Sequence, residues 1–79
     1  MKLRVFVTLK PGVLDPQGEA IRHALAALGF EGVNGVRQGK MIELDLSEGD
    51  ADKANEQART MCDKLLANTV IESYRIEPA

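Results

Sequence analysis

Lys10, Asp15 and Gln17 crowd into the stretch TLKPGVLDPQG. An ammonium, a carboxylate and an amide so close together could position or polarise a polar substrate. The same residues also suit backbone work. Asp15 stands immediately before Pro16, and Asp is a favoured helix N-cap while Pro is favoured at the first helical position. The other reactive groups of the chain offer the turn little help. A nucleophile needs a base within hydrogen-bond reach, and the one histidine, His23, falls off the apolar stripe of its helix, facing solvent. The one cysteine, Cys62, shares a helical face with Ala58 and Leu65, the setting of a buried structural thiol. One His and one Cys cannot assemble a Cys/His metal site within one chain. The run NGVRQGKM fails as a phosphate cradle, because Asn34 and Met41 replace the glycine and the Ser/Thr that such a loop requires. Glu43 and Asp45 on one strand face beside Lys40, and Arg59 with Asp63 at helical spacing, read as solvated ion pairs. No catalytic, cofactor-binding or metal-binding residue is expected in this chain.

The elements that hold these groups follow from periodicity. Leu3, Val5, Val7 and Leu9 alternate with Arg4, Phe6 and Thr8, which predicts a half-buried strand ended by Pro11-Gly12. From Pro16, Ile21, Ala24, Leu25 and Leu28 recur at helical spacing, and Gly29 supplies the stop, giving a helix of about 13 residues. Ile42, Leu44 and Leu46 alternate with Glu43 and Asp45 in a second strand. Gln38-Gly39 is the expected tip of a hairpin joining it to Val33–Arg37, with Gly39 as the turn glycine. One long strand with an irregularity at Gly39 also satisfies the parity. A second helix is expected over residues 47 to 66, capped by Ser47 or Asp50, with Ala51, Ala54, Ala58, Met61, Cys62 and Leu65 as its buried stripe. After Asn68-Thr69, residues 70 to 77 return to strand. The fold class is α+β, a single ferredoxin-like β-α-β-β-α-β domain over residues 1–79, with two helices on one face of an antiparallel sheet. Phe6, and Ile71 in the last strand, fall on the second face, which marks that face as a candidate contact with another subunit.

Size and charge narrow the function. A chain of 79 residues buries only about 60% of its unfolded surface, and Cys62 has no partner for a disulfide, so oligomerisation is the natural source of further burial. A single thiol fits a reducing, cytoplasmic setting, and MKLRVFVTLK alternates where a signal peptide would build an apolar block. No apolar run reaches the roughly 20 residues of a membrane span. A net charge of −2 and a pI near 5.3 give no footprint for nucleic acid.

Three runs, VTLKPGVLDPQG, VRQGKMIEL and CDKLLANTVIESYRIE, in that order over nearly the whole chain, resemble the small PurS-type subunit of phosphoribosylformylglycinamidine synthase. The resemblance implies a non-catalytic subunit of a glutamine-dependent ligase complex in purine biosynthesis. Its partners would be further copies of itself, as a homodimer or homotetramer, a glutaminase subunit and a large synthetase subunit. ATP, magnesium and glutamine would be used by those partners, with ammonia passing from glutaminase to synthetase. Carried onto matching positions, the candidate partner or interface residues are Lys10, Gln17, Arg37, Lys40, Asn68 and Thr69. Asp15, Pro16 and Gly39 are read as turn and cap residues, and Asn68 also suits a helix end. Arg37 and Lys40 stand out as cations at a hairpin tip.

Two other readings compete. Small ferredoxin-like domains can act as free-standing small-molecule sensors at dimer interfaces, a reading that rests on fold analogy. An acylphosphatase-type enzyme would need an arginine in the loop after the first strand, and KPGVLDPQG has none.

Overall fold

The computed structural model describes Met1–Ala79. Alternation in β1 (Lys2–Leu9) places Leu3, Val5 and Val7 on one face, and all three are wholly buried. β1 is the central strand of a three-stranded antiparallel sheet, between β2 (Gly39–Asp45) and β3 (Glu72–Pro78). The register sets Val5 across from Ile42 and Ile76, and Leu3 across from Leu44, so the apolar residues of three strands form one floor.

That floor is covered by α2 (Ala51–Met61) and the single π turn Cys62–Leu66 that extends it. Of the two possible caps, Asp50 does the work: its Oδ1 accepts from the N–H groups of Asp52 and Lys53 at 2.9 and 3.1 Å. Ala54, Ala58 and Cys62 are buried against the strands. Two alanines on this face let the helix axis approach the sheet closely. The π turn adds a residue to the helical turn and so changes which side chains face inward. Leu66 and Ala67 join the core while Leu65, expected in the buried stripe, is 83% exposed and Met61 is 37% exposed.

α1 (Pro16–Ala27) starts at Asp15 with Pro16 in its first position, and Gly29 at φ 92° takes the left-handed conformation that ends it. The expectation that it packs beside α2 on the sheet is not met within the chain. Gly18 is its only buried residue, and Ile21 and Leu28 are 39% and 73% exposed. The helix projects from the sheet and the chain returns along residues 29 to 38 without regular structure. The molecule measures 48 × 24 × 15 Å.

The antiparallel α+β sheet therefore stands, but the strand expected over Val33–Arg37 does not form, and the element order is β-α-β-α-β. Only Val33 and Val36 are apolar in that segment, and their spacing does not alternate. The Gln38 N–H that a hairpin ladder would use is instead donated to Asp15 Oδ2 at 2.7 Å. Gly39 is the first residue of β2, not a hairpin turn. A Cβ there would sit 2.6 Å from the Val7 carbonyl oxygen, so the strand requires its absence. At the other end, Val70 and Ile71 lie in the turn before β3 and not within a strand, so Ile71 does not belong to the second sheet face.

Two alanine substitutions test the floor and the π turn together. Val5→Ala is expected to lower unfolding stability by about 2 kcal/mol through lost burial and the cavity left behind. Leu65→Ala is expected to change it by less than about 0.5 kcal/mol. Urea unfolding of both at one protein concentration checks the pair, and a large loss at Leu65 would contradict the observed register.

Candidate functional site

The base of the projecting arm is where the residues singled out from the sequence gather. Asp15 is buried, and each carboxylate oxygen has its own donor: Oδ1 accepts from Gly18 N–H at 2.8 Å, Oδ2 from Gln38 N–H at 2.7 Å. The first bond is the expected helix cap. The second ties the start of the arm to its end. These two backbone donors, Gln38 first and then Gly18, hold the Asp15 carboxyl below its ordinary value, with the Arg37 charge contributing. A carboxylate so held is a weak base, which suits a structural tie better than proton transfer.

Arg37 reinforces the same junction from the exposed side. Its Nη1 donates to the Val13 carbonyl at 2.8 Å and its Nη2 to the Lys10 carbonyl at 3.1 Å. There is no hairpin tip for it to decorate, and its guanidinium closes the 10–15 loop against the 36–38 segment. Gly18 completes the junction, because a Cβ at that position would lie 2.3 Å from the Val36 carbonyl oxygen.

Lys10 reaches the other side of the loop, where its Nζ donates to the Thr69 carbonyl at 2.7 Å. Thr69 thus enters through its backbone. Asn68 satisfies the adjoining turn: its Oδ1 accepts from Val70 N–H at 3.1 Å, and its carbonyl accepts from Ile71 and Glu72. Gln17 and Lys40 come together with Asp15, Gln38 and Glu72 around a shallow polar recess of about 270 Å³. Lys40 stands opposite Val7 on the α2 side of the sheet, where alternation would otherwise have continued the apolar floor. Phe6 lies apart from this cluster, on the open face of β1, half-buried beneath the Arg75 guanidinium at 4.5 Å from the ring centre. Met41 is its cross-strand neighbour and is 48% exposed.

The remaining reactive groups are spread across the molecule. His23 is exposed, with Nε2 3.4 Å from Glu19 Oε1. Cys62 is buried in the core, and desolvation, with Asp63 beside it, pushes its thiol up. Tyr74 donates its hydroxyl to Asp63 at 2.9 Å. No three His, Cys, Asp or Glu side chains are placed to share a metal ion, and no helix is long and apolar enough to cross a membrane. The cluster at the arm's base can fix geometry and present polar groups; it contains no nucleophile with a base beside it. The roles of Gln38 and Gly18 were invisible from residue type, since one works through a backbone N–H and the other through a missing side chain.

Comparison with known proteins agrees with this picture. Residues 2–79 match the family model PurS, described as phosphoribosylformylglycinamidine (FGAM) synthase. The phosphoribosylformylglycinamidine synthase subunit PurS of Synechocystis is 55% identical over 74 residues, covering 94% of this chain and 74% of the relative. The solved structure of Bacillus subtilis PurS superposes with a TM-score of 0.85 at 50% identity, covering 96% of this chain and 94% of that one. A chain in the structure of PurLQS from Thermotoga maritima gives 0.89 at 32% identity, covering 99% and 95%.

Two substitutions test the junction. In an ordinary helix, Gly→Ala gains up to about 1 kcal/mol; Gly18→Ala is expected to reverse that sign and lose about 1–3 kcal/mol, because the Val36 backbone must move. Asp15→Asn leaves one oxygen for two N–H donors. Because the folded Asp15 pKa lies below its ordinary 3.8, the charged group's contribution is fully present above that ordinary value and is lost as pH falls through the lower folded one. The stability gap between wild type and Asp15→Asn should be widest near neutrality and narrow in acid below the usual carboxylate range. Thermal unfolding across pH checks this, and a gap that grows in acid would contradict the tie.

Proposed function

The chain belongs to the PurS family of phosphoribosylformylglycinamidine synthase, and from that membership we propose that it works as the small, non-catalytic subunit that couples glutaminase to synthetase. The observation that carries this reading is the match of residues 2–79 to the family, joined by the likeness to a chain of a PurLQS structure. The chain is a subunit of a glutamine-dependent ligase in purine biosynthesis. Its partners are further copies of itself, the glutaminase subunit and the large synthetase subunit. The relatives are named as subunits of a synthase, which favours this reading over a free-standing small-molecule sensor.

The arrangement of groups supports a scaffolding role. The junction holds its carboxylate deprotonated and its guanidinium on carbonyls, so its polar groups are committed to geometry. The finer parts of the proposal are that ATP, magnesium and glutamine are held by the partner subunits, that ammonia is what passes between them, and that the complex works in the cytoplasm. Gln17 and Lys40, which make no hydrogen bond within the chain that would occupy them, are the residues offered to those partners.

The test is reconstitution. Glutamine-dependent synthesis of the amidine should require this chain when the purified glutaminase and synthetase subunits are mixed, and an equal rate without it would overturn the coupling role. Lys40→Ala should weaken assembly of the three-subunit complex about tenfold, the scale of one polar interface contact of roughly 1.4 kcal/mol, with unfolding stability nearly unchanged. Analytical ultracentrifugation of the mixture checks that outcome.

A further inference from the structure

The return segment of the arm carries a reactive pair that the junction does not use. Of the three asparagines, Asn34, Asn55 and Asn68, only Asn34 precedes a glycine. An asparagine amide is chemically labile, and the group placed to attack it is the main-chain nitrogen of the next residue. The side chain of that next residue ordinarily obstructs the approach, and glycine has none. Asn34 and Gly35 are both exposed, in backbone without regular structure. The Gly35 N–H makes no backbone hydrogen bond within the chain, so no bond must break for its nitrogen to react. The space around Gly35 is open, since a Cβ there would meet nothing within 4 Å.

The other two asparagines are placed differently. Asn55 lies inside α2, where its Nδ2 donates to the Ala51 carbonyl at 2.9 Å. The nitrogen that would attack it belongs to Glu56, within the same helix. Asn68 Oδ1 accepts from Val70 N–H at 3.1 Å, which holds its side chain in a turn. The residue after it, Thr69, is β-branched and crowds its own nitrogen. Attack at either position must break a hydrogen bond or displace a side chain. At Asn34 it does neither.

We propose that Asn34-Gly35 is a site of spontaneous covalent modification, at which the chain closes to a succinimide and reopens as aspartate or isoaspartate. The Gly35 nitrogen bonds to Asn34 Cγ and the Cγ–Nδ2 bond breaks. Nδ2 leaves as ammonia, carrying the proton that the Gly35 nitrogen gives up. Water, the only co-reactant, then adds to either imide carbonyl, and nothing is oxidised or reduced. Opening at Cγ leaves aspartate in an unaltered backbone, whereas opening at the other carbonyl routes the main chain through Cβ and Cγ. Both products set a carboxylate where the amide stood, and the isoaspartyl product lengthens the main chain by a methylene. That lengthening falls between α1 and Gln38, in a segment whose two ends are fixed to the one carboxylate of Asp15. The isoaspartyl arm closes less well on Asp15, and the reaction limits how long the arm keeps its geometry. The inference goes beyond the subunit reading and does not rest on it.

The purified full-length chain, held in mildly alkaline buffer at physiological temperature, is digested at intervals and its peptides weighed by mass spectrometry. The peptide carrying Asn34 should gain the mass difference between water and ammonia, with isoaspartate among its products. Asn55 and Asn68 should react at least about tenfold more slowly, a barrier difference of about 1.4 kcal/mol. Gly35→Ala should slow Asn34 by a similar factor. Gly35 does not adopt the left-handed conformation of Gly29 and Gly32 and its surroundings are open, so the fold accommodates that alanine. Equal rates at the three asparagines, an unchanged rate in Gly35→Ala, or aspartate as the sole product would each overturn the proposal. So would an Asn34 that reacts in the urea-unfolded chain and stays intact in the folded one. The isoaspartyl form, separated by its added charge, should unfold at a lower urea concentration than Asn34→Asp, which bears the same charge on an unaltered backbone. Equal midpoints would overturn the effect on the arm.

Discussion

Everything beyond the sheet depends on how one buried carboxylate divides its two oxygens. Asp15 caps α1 through Gly18 and, with the other oxygen, takes the N–H of Gln38 from the far end of the arm. Were the second bond absent, the segment before β2 could pair as a hairpin and the helix could swing back toward the sheet. With it present, residues 16 to 35 form a closed excursion whose direction is set at its base. The lowered pKa of Asp15 is a consequence of this geometry. A charge-assisted bond to a backbone N–H is among the stronger hydrogen bonds a protein makes, and a buried acceptor that used only one of its oxygens would leave desolvation uncompensated.

Local signals were legible in the sequence wherever one element decides its own fate. The alternation of Leu3, Val5 and Val7 needs no partner to be read, and Asp15-Pro16 and Gly29 mark a helix by backbone chemistry alone. What was not legible required knowing what lay across space. Gln38-Gly39 has the composition of a hairpin tip after Val33–Arg37, but strand pairing depends on whether a backbone N–H is free, and Gln38's is not. The stripe of α1 has the periodicity of a face packed on the sheet, yet Ile21 and Leu28 are exposed in this chain, because periodicity marks an apolar face without saying what covers it. The π turn is hidden for a related reason: Cys62, Leu65 and Leu66 fit α-helical spacing, and the widened turn shows in the Ala67 N–H donated to the Cys62 carbonyl at 3.0 Å and in the burial of Ala67.

At the junction, the charged side chains serve the chain's own backbone. Lys10 and Arg37 carry charges that suggest outside partners, yet both spend their donors on backbone carbonyls within the chain. Burying neither charge, these contacts cost little desolvation, and their value is in fixing the loop on which α1 is mounted. Gln17 and Lys40 differ in that no such contact claims them, although they border the same recess. The division follows chain geometry, because Lys10 and Arg37 lie within reach of carbonyls on neighbouring segments, whereas Gln17 and Lys40 stand at the rim of the recess.

A subunit that organises the chemistry of others has little use for a self-sufficient core. The fully buried side chains of this chain form a thin layer between β1 and α2, centred on Leu3, Val5, Val7 and Cys62, and a domain of this size has a small margin of stability to begin with. Turning one of two helices outward sacrifices further intramolecular burial, which is tolerable only if association restores it. Folding and assembly then become thermodynamically linked, since whatever binds the folded chain also stabilises it. The tie at Asp15 holds the arm at a defined angle, so its conformational freedom is already restricted within the folded chain. The junction at Asp15 thus holds the arm at a defined angle and leaves the apolar surface of α1 uncovered by its own chain.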